Sequence, residues 1–390
     1  MKKILAVTVL FSLLVSGIFA ENVGLVLSGG GAKGAYEVGV WKAMADYGLT
    51  EDVSVISGSS VGALNAALFA CVNAEEAEKL WREEVGYSAF LMPDTSSISE
   101  VAAFAVRNAQ NNLGIKNTED DPYGLKGKFS EEDTELMRYL LDGITFIADA
   151  GYGLARGTLN YIGEYIFTQN HSDGLFNRDA LGELMEDYIS IKKLEKSNID
   201  VYATAIPKDG LLLFNAMFKL FGSDSAHYFK LNEQLNDEMV QDILMASSSF
   251  PLVYDSTYLS GEVIENGYKV GIGYEYIDGG FESVGGKNTP VYPVAMKDNV
   301  ETIFVVYLKS EEEMNNSISN HWVYEGELRG KKLIEFVPSK NLGDFVDGTI
   351  NFDPENISEL IDLGYQDACA VLEENGYEKP KKGWFKKKTF

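Results

Sequence analysis

Short apolar runs that end in glycine-rich turns alternate with segments of helical periodicity along most of the chain. Residues 23–27 (VGLVL) and 53–56 (VSVI) are typical of buried strands, and apolar residues at helical spacing follow at 35–47 and 63–81. The same pattern predicts further strands at residues 199–206, 228–231, 301–308 and 333–337. Strands that alternate with helices predict an α/β fold with a mainly parallel central sheet covered on both faces.

The two ends of the chain differ from this core pattern. Lys2 and Lys3 precede a mostly apolar run with small residues near its end, which predicts a signal peptide over residues 1–20. The alternative is an uncleaved membrane anchor, for which a run of about 17 residues lies at the lower limit of length. Residues 376–390 form a basic aromatic tail. We therefore expect an exported protein that is secreted, periplasmic or associated with an outer membrane.

A long segment at about 87–171 interrupts the alternation of strands and helices. Its polar first part is followed, at 136–167, by a stretch rich in Gly, Tyr, Phe and Leu. We interpret the segment as a largely helical insertion within one domain that spans residues 21–375. Residues 136–167 and the lysine-rich tail are candidates for peripheral membrane contact. The alternatives are core packing for the first and a solvated tail for the second.

The sequence Gly58-Ser59-Ser60-Val61-Gly62 lies between a predicted strand and a predicted helix. This is the context of a nucleophile elbow, a sharp turn that presents a serine hydroxyl at the end of a sheet. Gly58 and Gly62 permit the turn, and the N-terminus of the following helix favours a developing negative charge. The sequence therefore predicts Ser60 as a nucleophile, with an ordinary structural turn as the alternative.

A second glycine turn, GGGAKG at residues 29–34, follows the first predicted strand. Consecutive glycines let backbone N–H groups converge on an anion, which is either the oxyanion of acyl transfer or a phosphate. The spacing also matches the G-x-G-x-x-G dinucleotide fingerprint, with Glu51 or Asp52 about 20 residues further on. A nucleotide-binding oxidoreductase is therefore a rival prediction, although it leaves the Ser60 turn unexplained.

The third motif, Asp278-Gly279-Gly280, follows a strand-like pair. A carboxylate at a strand end can reach the same crevice as the two glycine turns, although Asp-Gly is also a common turn dipeptide. The chain has three histidines, and none lies in a context that resembles a catalytic-triad position. A carboxylate is therefore the better candidate base for Ser60, and Asp278 is the best placed.

Together the motifs GGGAKG, GSSVG and DGG, in that order, resemble the patatin-like phospholipase family. ASSSFP at 246–251 and the sequence Asn288-Thr289-Pro290 are also similar to that family, and the resemblance covers residues 22–84 and 173–375. It implies a three-layer α/β/α sandwich. It also implies hydrolysis of acyl esters in phospholipids, lysophospholipids or neutral lipids by a Ser-Asp dyad, without a metal or cofactor.

The resemblance assigns roles to individual residues by their position in the motifs. It makes Ser60 the nucleophile and Asp278 the base. The oxyanion donors would be the backbone N–H groups of Gly29, Gly30, Gly31 and Val61. The supporting motif residues would be Lys33, Gly34, Gly58, Gly62, Gly279 and Gly280. Lys33 stands where the family usually has arginine, which keeps the positive charge but loses the planar guanidinium.

Composition narrows the choice of partners. A formal net charge of −26 disfavours nucleic acid, because the chain repels a phosphate backbone. No cysteine or histidine cluster has metal-ligand spacing. Cys71 and Cys369 are interpreted as buried free thiols, with a disulfide as the alternative in an exported protein. A lipid-binding protein that keeps the fold but does not catalyse a reaction is the third functional class, beside the hydrolase and the oxidoreductase. The sequence does not predict an oligomeric state.

Overall fold

The computed structural model describes most of the predicted core. It covers residues 22–86, 90, 92–93, 176–208, 226–250, 253–265, 268–280, 286–316, 322–323 and 325–380. The predicted signal peptide, nearly all of the predicted insertion and the last ten residues of the tail lie outside the described residues.

The strands of the described chain are β1 (Val23–Leu27), β2 (Val53–Ser59), β3 (Met92–Pro93), β4 (Phe176–Asn177), β5 (Asp200–Pro207), β6 (His227–Lys230), β7 (Thr257–Glu265), β8 (Tyr268–Asp278), β9 (Thr302–Val306) and β10 (Lys332–Phe336). Eight of these strands form one sheet, in the order β10-β9-β1-β2-β5-β6-β7-β8. The neighbours from β10 to β5 are parallel, whereas β6, β7 and β8 are antiparallel to their neighbours. The predicted mainly parallel sheet is confirmed.

Helices cover both faces of this sheet. They are α1 (Gly34–Asp46), α2 (Val61–Cys71), α3 (Ala74–Glu83), α4 (Asp179–Tyr188), α5 (Ile191–Lys196), α6 (Asp237–Ser247), α7 (Tyr292–Ala295), α8 (Glu311–Asn316) and α9 (Pro354–Glu374). Single turns of 3-10 helix lie at Gly31–Lys33, Leu231–Glu233 and Glu325–Leu328, and a π-helical turn lies at Phe345–Thr349.

The central strands are apolar on both sides because each side faces a separate core. Leu25 and Leu27 of β1 belong to the larger core, which contains α1, α2, α3, α4, α6 and α9. Val26, between them, belongs to a smaller core formed with α7, α8 and the turn at Glu325–Leu328. The α/β/α layering is therefore present, with one thick helical layer and one thin layer.

Two predicted elements differ from the structure. The single helix predicted over residues 63–81 is two helices, because Val72 is extended and the side chain of Asn73 caps α3 by accepting the N–H of Glu76. The sequence Tyr276-Ile277 is the end of the long strand β8, which pairs with β7 in a hairpin that the apolar pattern does not predict. Polar and glycine residues interrupt this hairpin, so its periodicity is weak.

The two ends of the predicted insertion lie side by side. Met92–Pro93 and Phe176–Asn177 form a short antiparallel pair, β3 with β4. Whatever joins these residues therefore leaves and re-enters the core at one place.

Glycines let α1 and α9 approach closely. A Cβ atom on Gly364 would lie 2.1 Å from the carbonyl oxygen of Tyr36, and one on Gly39 would lie 2.0 Å from that of Ile361. Tyr47, directly after α1, adds a hydrogen bond from its hydroxyl to the Glu373 carboxylate of α9, 2.9 Å long. This contact fixes the helix that follows the first glycine turn.

The turn from β2 to α2 contains a strained residue. Ser60 has φ 55° and ψ −128°, a conformation that side chains disfavour and that non-glycine residues adopt at a cost of about 1–3 kcal/mol. Its neighbours are tightly packed, since a Cβ on Gly58 would lie 2.1 Å from the carbonyl oxygen of Gly62. The predicted elbow is therefore a sharp turn in the structure.

Cys71 and Cys369 are both half-buried free thiols, and burial raises the pKa of Cys71 to about 11.

Within the described ranges, no helix has both the length and the apolar character needed to cross a membrane.

We predict that Gly364→Ala destabilises the protein by about 1–3 kcal/mol, because the added methyl group pushes α9 away from α1. Urea denaturation measures the free energy of unfolding. The matched control is Gly182→Ala in α4, where the nearest atom, Cε of Met245, lies at an ordinary 3.5 Å from the new Cβ. That variant should gain about 0.5–1 kcal/mol from lower chain entropy in the unfolded state. Equal effects of the two substitutions would contradict the packing argument.

We further predict that Ser60→Gly is more stable than Ser60→Ala by about 1 kcal/mol. Both variants lose the hydroxyl, but only glycine relieves the backbone strain at this position. The comparison of the two urea midpoints isolates the strain, and an alanine variant at least as stable as the glycine variant would show that the turn is relaxed.

Candidate active site

The three sequence motifs meet at one cavity of about 210 Å³. Its lining includes Gly29 to Gly31, Ser60, Val61 and Asp278. The parallel strands β1 and β2 deliver the first two motifs at their carboxyl ends. Strand β8 runs antiparallel to β5. Its last residue, Asp278, therefore lies opposite Ala205, near the carboxyl end of β5. Residues distant in sequence are thus neighbours in the fold.

The backbone of Ser60 is held from below by a second serine. The N–H of Ser60 donates to Oγ of Ser247 at 3.1 Å, and that hydroxyl donates to the carbonyl of Thr204 at 2.7 Å. Val61 is the first residue of α2, where a backbone N–H has no acceptor within the helix. This N–H and the helix dipole are therefore free to act on an anion near Ser60.

Asp278 is a buried carboxyl, only 2% exposed. Its Oδ1 accepts the N–H of Gly280 at 2.7 Å, whereas no described group makes a hydrogen bond of standard geometry to its Oδ2. Burial raises the pKa of Asp278 to about 6, against the opposing effects of the Ser60 hydroxyl, the Gly280 N–H and the charge of Arg178. The Ser60 hydroxyl is thus close enough to Asp278 to lower its pKa.

A turn of three serines carries both halves of the site. Besides Oγ of Ser247, which holds Ser60, the carbonyl of Ser247 accepts the N–H of Gly279 at 3.3 Å. The carbonyl of Ser249 accepts the N–H of Asp278 at 3.0 Å. The end of α6 therefore sets the position of the serine relative to the carboxyl.

The glycine turn lies directly against Ser60, but its donors are not equivalent. The N–H of Gly29 donates to the carbonyl of Asn288 at 3.2 Å, so the predicted oxyanion role of Gly29 does not fit this arrangement. A Cβ on Gly29 would lie 3.1 Å from that of Ser60, which shows how closely the turn packs. Gly30, Gly31 and Val61 remain the candidate donors.

The supporting glycines have structural positions around the turn. Gly34 faces Val61 and Asn65 of α2, and Gly62 faces the backbone of Leu27 at the end of β1. Gly279 lies against the carbonyl of Thr204. They let the three motifs pack closely and contribute no functional side chain.

Lys33 is buried and lines the cavity. Its ammonium group donates to the carbonyl of Gly343. Burial lowers the pKa of Lys33, while the carboxylates of Glu313 and Asp344 oppose that shift. The side chain therefore ties the glycine turn to the loop at residues 341–349 and brings positive charge to the cavity.

Sequence reasoning missed several polar residues of the site. Asn288 accepts the N–H of Gly29, and Thr289 hydrogen-bonds Ser28 through the two hydroxyls at 3.0 Å. These residues stand in the sequence noted as similar to the family, so a signal was present. Arg178 carries no motif of its own, and nothing in the sequence singled it out.

Most of the other residues that line the cavity are apolar, beside Ser248, Lys309 and Thr349. The apolar residues are Leu64, Phe90, Leu181, Phe250, Val253, Tyr254, Leu308, Ile350 and Phe352. Leu64, Phe90 and Leu181 also line a second, smaller apolar cavity of about 40 Å³ between α2, α3 and α4. The polar motifs thus occupy one side of a largely hydrophobic space.

Rival assignments find little support in this geometry. No histidine is among the described residues that line the cavity. His227 lies on β6, where its Nδ1 is 3.2 Å from the hydroxyl of Tyr276, and the other two histidines are outside the described residues. The space beside Gly31 is filled, since a Cβ there would lie 2.1 Å from the carbonyl oxygen of Thr349.

Comparison with known proteins agrees with the motif order. The family model described as Patatin-like phospholipase matches residues 25–294. Lysophospholipase nte1 of Aspergillus terreus is 47% identical over 60 residues, which are 15% of this chain and 4% of that protein. Patatin-like phospholipase domain-containing protein 7 of Rattus norvegicus is 43% identical over 60 residues, with the same two shares. The matched part is thus a small fraction of these relatives.

Two solved structures have a similar arrangement at low sequence identity. VipD from Legionella pneumophila matches with a TM-score of 0.42 and 12% identity, over 91% of this chain and 67% of VipD. The type III effector protein ExoU matches with a TM-score of 0.36 and 17% identity, over 92% of this chain and 54% of ExoU. These scores are too low to support an argument about function.

The family model decides the assignment, because it spans more than half of the chain and its span contains the glycine turn, the elbow and Asp278. The resemblance carried by GGGAKG, GSSVG and DGG is confirmed. The chain belongs to the patatin-like phospholipase family.

Proposed function

We propose that this protein is a lipid acyl hydrolase that uses Ser60 as nucleophile and Asp278 as base. The observation that carries the proposal is the buried Asp278 carboxyl beside Ser60, with an Oδ2 to which no described group makes a hydrogen bond of standard geometry. A buried acceptor without a partner is costly in a fold and is frequent where a proton is transferred.

The first half of the proposed reaction forms an acyl-enzyme. Oγ of Ser60 attacks the ester carbonyl carbon while its proton passes to the carboxylate of Asp278. The carbonyl oxygen becomes an oxyanion that the N–H groups of Gly30, Gly31 and Val61 stabilise. The tetrahedral intermediate then collapses, the ester C–O bond breaks, and the leaving alcohol takes the proton from Asp278.

The second half returns the enzyme to its starting state. A water molecule attacks the acyl-enzyme carbonyl and gives a proton to Asp278. The bond between the acyl carbon and Oγ of Ser60 breaks, Ser60 recovers the proton, and the fatty acid leaves. The same N–H groups stabilise the second oxyanion, so no metal or cofactor takes part in the proposed scheme.

The apolar cavity walls favour a fatty acyl group as the part of the substrate that is bound. Phe250, Val253 and Phe352 line the cavity together with Ser60, and a methylene chain bound against them would lose contact with water. We therefore propose acyl esters of lipids as the substrate class, met at a membrane surface by peripheral contact. Export through residues 1–20 is part of the same proposal.

We predict that a fluorophosphonate probe labels the protein and that Ser60→Ala abolishes the labelling. The probe reacts with activated serine hydroxyls, so labelling reports the nucleophile directly. Detection is by gel fluorescence and by mass spectrometry of the modified peptide. Ser54→Ala, which removes a half-buried serine hydroxyl early in β2, is the control that should still be labelled.

Labelling that persists in Ser60→Ala would assign the nucleophile elsewhere. The labelled protein is then assayed on dispersed phospholipid, lysophospholipid and neutral-lipid esters. Failure of the native protein to label or to release fatty acid would favour a lipid-binding protein without turnover.

We predict that kcat/KM for a soluble ester falls below a pH of about 6, because Asp278 must be ionised to accept the proton of Ser60. Burial raises the pKa of Asp278, so protonation inactivates the base at a higher pH than for an exposed aspartate. Each pH unit below that value should cost about tenfold in rate. An acid limb near the ordinary aspartate value, close to 4, would contradict the assignment of this buried carboxyl as base.

A further inference from the structure

Arg178 stands between β4 and α4, where the chain re-enters the core. Its guanidinium group is engaged on three sides: Nη1 donates to the carbonyl of Met245 at 2.6 Å, and Nη2 donates to the carbonyl of Asp255 and to Oγ1 of Thr257, both at 3.1 Å. The guanidinium carbon also lies 5.0 Å from the centre of the Tyr254 ring. These contacts hold the charge in one place.

A chain of hydrogen bonds runs from Arg178 to the candidate base. Oγ1 of Thr257 lies 3.0 Å from Oγ of Ser249, and that hydroxyl donates to the carbonyl of Met245 at 2.8 Å. The carbonyl of Ser249 in turn accepts the N–H of Asp278 at 3.0 Å. Arg178 and Ser249 thus share the Met245 carbonyl, and both fix the turn on which Asp278 rests.

The charge of Arg178 also acts on the Asp278 carboxyl. It lowers the pKa of Asp278 against the larger opposite effect of burial. The other ionisable groups around Arg178 are the Tyr254 hydroxyl and the exposed Asp255 carboxylate, and Lys33 and Lys309 line the same cavity as Asp278. Among the described residues, Arg178 is the one cation that both lowers the Asp278 pKa and hydrogen-bonds the end of α6, through the carbonyl of Met245.

We propose that Arg178 is a positioning residue of the acyl hydrolase reaction: through Thr257 and Ser249 it holds Asp278 in place, and its charge keeps that carboxylate anionic. The inference rests on the proposed function of the Ser60–Asp278 pair. It assigns two effects to one side chain, a geometric effect that any good hydrogen-bond donor can partly supply and an electrostatic effect that only a cation supplies.

The two effects separate in two variants. Arg178→Lys keeps the positive charge but loses the planar fork, so we expect a lower kcat with the acid limb of kcat/KM close to that of the native protein. Arg178→Met loses both, so we expect a lower kcat and an acid limb shifted by about half a unit to one unit toward higher pH. The shift is upward because loss of a nearby cation raises the pKa of a carboxyl.

Arg82→Met is the matched control. Arg82 is also a partly buried arginine that is held by hydrogen bonds, to Glu78, Ser358 and Asp362, but it does not line the cavity. This variant can lose stability, yet its acid limb should coincide with that of the native protein. Circular dichroism and urea denaturation establish that each variant is folded before its pH profile is measured.

A second measurement tests the inference without turnover. In the Ser60→Ala background, the carboxyl ¹³C chemical shift of Asp278 is titrated with and without Arg178→Met. A higher Asp278 pKa in the double variant supports the proposal even if the protein releases no fatty acid, in which case only the proposed function fails. If Arg178→Met does not fold, the same titration is made with Thr257→Val, which cuts the hydrogen-bond chain and leaves the charge.

The proposal predicts that Thr257→Val reduces kcat while the Asp278 pKa stays within a few tenths of a unit of the native value. The inference is overturned if folded Arg178→Met, in either measurement, titrates like the native protein. It is equally overturned if Arg178→Lys and Arg178→Met give the same upward shift, because the charge would then have no role.

Discussion

The site depends on one short segment, the serine turn at the end of α6. Its groups hold the N–H of Ser60 from one side and the N–H groups of Asp278 and Gly279 from the other. The serine and the carboxyl come from different strands, so neither strand alone can set the distance between them. A hydrogen bond that fixes both partners to one rigid helix end costs less reorganisation during reaction than a flexible pairing would.

Sequence reasoning reached the fold class and the three motifs because both are local patterns. An apolar run followed by glycine reads as a strand and its turn, wherever the partner strands lie. The break at Asn73 and the hairpin of β7 with β8 escaped it, because the first is a single cap and the second lacks clear alternation. For Gly29 the error is the opposite one. The motif suggests a free N–H donor, but in the fold this N–H donates to the carbonyl of Asn288.

The remaining residues could not be found from the sequence because their roles exist only in the folded chain. The role of Arg178 depends on three acceptors within residues 245–257, which no spacing rule relates to it.

The site also lowers the stability of the fold. Burial of Asp278 opposes folding by roughly 3 kcal/mol at most. This cost builds up as pH rises from about 4, where the unfolded carboxyl ionises, to about 6, and it is constant above that pH. The close packing of α1 against α9 lies away from the cavity and can offset it.

The short pairing of Met92–Pro93 with Phe176–Asn177 has a consequence for how such a chain can change. Since the polypeptide departs and returns through adjacent strands, the entropic cost of closing the loop grows only slowly with the number of residues between them. Because this pair is separate from the main sheet, a longer or shorter connection between the two strands need not change the register of the main sheet. Phe90, which lines the cavity, lies two residues before β3, and Arg178 follows β4 directly. A change in the connection between β3 and β4 therefore acts close to residues that line or support the cavity.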